Sequence, residues 1–163
     1  MKTRNIVIGI IWAAPISFIA LVLYFFPMWL YGVYKPVGRH EYAWLWRFDT
    51  ERAPAWLLRL WGRYAGSAIG NLIICKDVGE EHRMNILLKH EMVHVRQCML
   101  LGIFQPLIYV QVLIAGNLLK WAYNAPTDGY SDCIFEVAAR REAGQIVDVI
   151  GTAMEIKARL TKH

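Results

Sequence analysis

The stretch from Ile6 to Pro27, IVIGIIWAAPISFIALVLYFFP, contains no charged residue. About 20 apolar residues suffice to cross the hydrocarbon core of a bilayer, so this run predicts a transmembrane helix. Lys2 and Arg4 precede it, and Trp29, Tyr31 and Tyr34 follow it as an interfacial aromatic belt would. Pro15 bends such a helix without breaking it in lipid. The run is too long for a cleavable signal peptide and no A-x-A site closes it, which favours an uncleaved, single-pass membrane anchor.

The rest of the composition agrees with membrane contact. Of 163 residues, 56% are hydrophobic and 13% aromatic, and the mean hydropathy is +0.30, high for a free domain. The formal net charge of +5 is spread along the chain rather than gathered in one arm. Aromatic residues do not interleave with Arg as in a base-stacking platform, so nucleic acid is not an expected partner and membrane lipid is. Cys75, Cys98 and Cys133 form no CxxC pair, which argues against a cysteine zinc knuckle or a redox motif.

The chemistry is carried by His90-Glu91-Met92-Val93-His94, an HExxH pattern inside a helical run, 83–101. Residues four apart share one face of an α-helix, so both imidazoles can reach one metal ion. Glu91 lies about 100° round the helix, placed to exchange protons with a water on that ion without ligating it. Cys98 shares the inward stripe but reads as a small buried residue rather than a ligand.

Elsewhere the reading is coarser. Residues 35–52 predict a short strand or an interfacial loop. Residues 53–64 predict a helix with Trp56, Leu57, Leu60 and Trp61 on one face. NLIIC, 71–75, predicts a strand closed by the polar KDVGEE. The apolar segment 103–119 is interrupted by Gln105, Pro106 and Gln111 and predicts a buried or surface-lying helix rather than a second span. Residues 122–131 read as loop, 132–144 as a helix, and Ile146 to Ile156 as a final amphipathic helix.

Catalytic zinc takes three protein ligands and keeps a fourth position open. Downstream of His94 the carboxylates are Asp128, Asp132, Glu136, Glu142, Asp148 and Glu155, and no His follows until His163. Glu136 is the strongest candidate. Phe135 and Val137 flank it and Ala138 and Ala139 follow, and a carboxylate in apolar surroundings is costly unless paired or metal-bound.

HEMVH followed by FEVAARREA resembles the HExxH…E zinc metallopeptidases, the gluzincins. It is similar in particular to minimal gluzincins and to membrane-linked members whose third ligand opens an ExxAD pattern on a helix. Residues 136–140, EVAAR, fit ExxA but put Arg140 where that family has the Asp that supports a ligating His. The resemblance covers mainly residues 84–98 and 130–144, with an echo at 71–75. It implies zinc on His90, His94 and Glu136, Glu91 as general base, and strand 71–75 as the edge on which an extended peptide pairs. It also implies a transition-state stabiliser, for which Tyr123, Tyr130 and Arg140 are the candidates.

The expected architecture is mainly α with a small β element. Residues 1–34 would be the membrane anchor, 35–66 an aromatic-rich interfacial region and 67–163 a compact zincin-like domain. The expected function is zinc-dependent hydrolysis of a peptide or protein substrate. The competing expectation is a non-enzymatic, membrane-associated structural or interaction protein. In it the His pair is packing, Glu136 pairs Arg140 at i,i+4, and the Trp-rich segment 44–61 contacts lipid.

Overall fold

A computed structural model describes residues 3–61, 64–77, 79–123, 130 and 133–145. It is mostly helical with one small sheet. The expected helix over 146–156 lies outside the described residues, as do Asp128, Asp132, Asp148 and Glu155. The chain divides into two compact units, Met1–Ile103 and Phe104–His163.

The first unit begins with α1 (Thr3–Ala20), which passes through a π-type stretch (Leu21–Phe25) into α2 (Phe26–Leu30). Pro27 has no N–H to give to the preceding turn, and the wider π turn falls just ahead of it. The helical run Asn5–Leu30 is long and apolar enough to cross a membrane.

Residues 35–52 contain two strands joined by a turn and followed by a second turn. They contribute most of β1 (Tyr34–His40) and all of β2 (Ala43–Phe48), an antiparallel pair with a register shift between Pro36 and Gly38. Helix α3 (Ala55–Trp61) buries Leu57 and exposes Trp56. Strands β3 (Gly66–Ile69) and β4 (Leu72–Lys76) form an antiparallel hairpin, and β4 pairs in parallel with β2.

The sheet order is β1-β2-β4-β3. This corrects one expectation. Strand 71–75 is not an edge: β4 is hydrogen-bonded on both sides, and the edge strand beside it is β3. An apolar run such as LIIC suits a strand buried on both faces, as interior strands are.

Alternation along β4 separates two cores. Ile73 and Cys75 face one formed with Leu88, Met92, Val95 and Cys98 of α4 (Glu81–Leu101) and Ala13 of α1. Leu72 and Ile74 face the other, formed with Phe25, Tyr34, Phe48 and Leu57. Between the cores, the β3–β4 turn meets α1. Gly70 adopts φ +61°, and a Cβ there would overlap Ser17. Ser17 Oγ accepts the Asn71 N–H at 2.8 Å and donates to the Ala13 carbonyl at 2.9 Å.

The second unit contains α5 (Phe104–Tyr123) and α6 (Ile134–Glu142). Helix α6 buries Phe135, Glu136 and Ala139, the apolar spacing that singled out Glu136, and exposes Arg141 and Glu142.

Candidate metal centre

Helix α4 turns one side into the α1–β4 core through Leu88, Met92, Val95 and Cys98. His90, Glu91 and His94 are nevertheless buried as well, at 8%, 3% and 8% exposure. Burying two imidazoles and a carboxylate within five residues is expensive without compensating partners.

His90 Nε2 and His94 Nε2 stand 3.2 Å apart. Two ligands on one tetrahedral zinc, each about 2.0–2.1 Å from the ion, are separated by about 3.3 Å. The pair therefore already has the spacing of two ligands of one ion. Gln97 Oε1 lies 2.9 Å from His94 Nδ1. Accepting that N–H holds the ring in the tautomer whose Nε2 keeps its lone pair for a metal.

Glu136 is 3% exposed, and Tyr109 Oη donates to its Oε1 at 3.0 Å. Burial, with the neighbouring Glu136 charge next, pushes the Tyr109 hydroxyl well above its ordinary value, so it stays a proton donor to that carboxylate. Tyr109 also stacks on Phe135 at 6.0 Å between ring centroids, which fixes its approach to α6.

Among the described residues, His90, His94 and Glu136 make a buried group that could hold a metal ion, their ligand atoms all within 4.8 Å of one another. The donor set, two imidazole nitrogens and one carboxylate oxygen, suits zinc and matches the three-ligand complement of catalytic sites.

Glu91 is turned toward the sheet edge. A Cβ on Gly66, the first residue of β3, would stand 2.8 Å from Glu91 Oε1 and 3.1 Å from Leu87 Cδ1. Glycine there is a matter of space, because the carboxylate occupies the volume that a side chain would take. On β4, Cys75 lies within the field of Glu91; burial first and that charge second push its thiol up to about 12.

Of the residues singled out from the sequence, His90, His94 and Glu136 fall together, with Glu91 buried on the same helix as the two His. Tyr130 is half-buried at a turn, and its hydroxyl acts electrostatically on Tyr109. Tyr123 closes α5, and its side chain is outside the described set. Sequence reasoning missed Gln97 and Tyr109. Gln97 carried a signal in its i,i+3 spacing from His94. Tyr109 carried none, since only the packing of α5 and α6 reveals it. Compared with known proteins, the chain matches no family model, no curated protein and no solved structure, so the geometry of this centre carries the functional reading.

Proposed function

We propose that this chain is a membrane-attached, zinc-dependent metallopeptidase in which Glu91 is the general base. The observation that carries the reading is a buried His-His-Glu group with a further buried carboxylate, Glu91, between the two His on their own helix. A zinc ion held there would supply Lewis acidity toward a scissile carbonyl and make water nucleophilic near neutral pH.

The remaining chemistry belongs to the protein. His90, His94 and Glu136 would hold the ion, while Gln97 and Tyr109 orient two of those side chains. Glu91 takes a proton from the attacking water and returns it to the leaving amine. The outer edge of β3 offers backbone N–H and C=O groups to an extended peptide, and Gly66 lets that edge run close to Glu91. This assigns to β3 the pairing role that the sequence had suggested for 71–75.

The test is metal content and hydrolysis of a quenched-fluorescent unstructured protein, measured on detergent-purified full-length chains. About one zinc per wild-type chain, its loss in Glu136→Ala, and loss of hydrolysis with zinc retained in Glu91→Gln are expected. A folded wild-type protein that holds no metal when loaded with excess zinc would overturn the reading. So would hydrolysis unaffected by Glu91→Gln.

A further inference from the structure

The N-terminal helical run has two apolar faces, and only one of them is free. Ile6, Ile10, Ala13 and Ile16 pack into the core shared with α4, and Ala20, Tyr24, Phe25 and Met28 into the core shared with the sheet and α3. These residues recur every three or four positions, so the folded unit covers one side of the run along its whole length. The opposite side is exposed and just as apolar: Ile8, Ile11, Phe18, Val22, Phe26 and Trp29 are each 44–67% accessible.

A helix that spans a bilayer alone is surrounded by lipid for about 20 residues. Along Asn5–Leu30 the folded unit covers one side instead. Ser17, midway along the uncharged run, holds the Asn71 N–H, and Gly70 abuts the same residue. A span would therefore carry the β3–β4 turn, with the edge strand β3 that enters it, to mid-bilayer depth. Open sheet edges are not tolerated in hydrocarbon.

We infer that the run Asn5–Leu30 lies in the plane of one leaflet, its outer face among acyl chains and its inner face forming a wall of the metal-binding unit. The occupant of the outer face is lipid. The face is continuous over a helix of about 39 Å at 1.5 Å per residue. Trp29, 45% exposed, sits on it near its end as a headgroup-level anchor. The net charge of +5, with exposed Arg39 following the run, complements anionic headgroups. This attachment differs from the single-pass anchor expected from the sequence, and it is independent of whether the metal centre hydrolyses peptides.

The experiment places one cysteine at each end of the run, in the full-length double variant Asn5→Cys/Tyr31→Cys. Both positions are exposed, and the three native thiols are buried. The protein is reconstituted into phosphatidylethanolamine/phosphatidylglycerol vesicles and treated with a membrane-impermeant maleimide of gel-shifting mass before and after lysis. An in-plane helix puts both ends on one side, so each molecule carries two labels or none before lysis. One label per molecule would show opposite sides and overturn the inference, as would protein that does not float with the vesicles. Phe18→Glu, which charges the middle of the outer face, should lower vesicle partitioning at least tenfold with zinc content unchanged. Unchanged partitioning would also overturn it.

Discussion

His94 Nδ1 lies 2.9 Å from Oε1 of Gln97, three residues further along α4. The partner that orients His94, one of the group that could hold a metal ion, is therefore carried by α4 itself. Outer partners of this kind set ring orientation and ligand basicity. Gln97→Ala is expected to weaken zinc about 10- to 100-fold in a chelator competition. Gln97→Glu, which keeps an acceptor oxygen and adds charge, is expected to hold zinc at least as tightly as wild type.

Tyr109 does the corresponding work for Glu136 through a 3.0 Å hydrogen bond. Tyr109→Phe removes only the hydroxyl and leaves the ring stacked on Phe135. The variant should fold normally and bind zinc about tenfold or more weakly. Equal zinc affinity in the two proteins would show that the bond does not position the carboxylate.

Gly66→Ala tests the space beside Glu91. The new methyl would stand 2.8 Å from Oε1, too close for either group to stay in place. Hydrolysis should fall at least tenfold, in line with the 10²–10⁴-fold that a positioned base supplies, while zinc content stays near one per chain. Full activity would mean that Glu91 does not act from this position.

Cys75 gives a pH-dependent prediction. Burial, then the charge of Glu91, raises its pKa to about 12, so the folded state favours the neutral thiol. A raised pKa adds stability that is present in full below the unfolded value, near 8.5, and is lost as pH rises from there through about 12. At pH 8 the thiol should resist a maleimide or a disulfide reagent in the folded protein and react once denaturant is added. Rapid alkylation without denaturant would contradict the buried placement of β4.

What the sequence determined by itself is what short-range periodicity decides. A repeat of 3.6 residues puts His90 and His94 on one face of α4 whatever surrounds them. The cost of burying a carboxylate marked Glu136 among its apolar neighbours. The apolar run within 71–75 marked a strand. Tertiary structure decided the rest, because the partners are far apart in the chain. Strand order β1-β2-β4-β3 makes β3 the open edge and β4 an interior strand, and no local pattern in GSAI announces this. Tyr109 meets Glu136 only through the packing of α5 and α6. The uncharged run from Ile6 to Pro27 shows the difference most directly. Its composition requires that water be excluded, but whether lipid surrounds it or covers one side depends on how much of it the folded chain already buries.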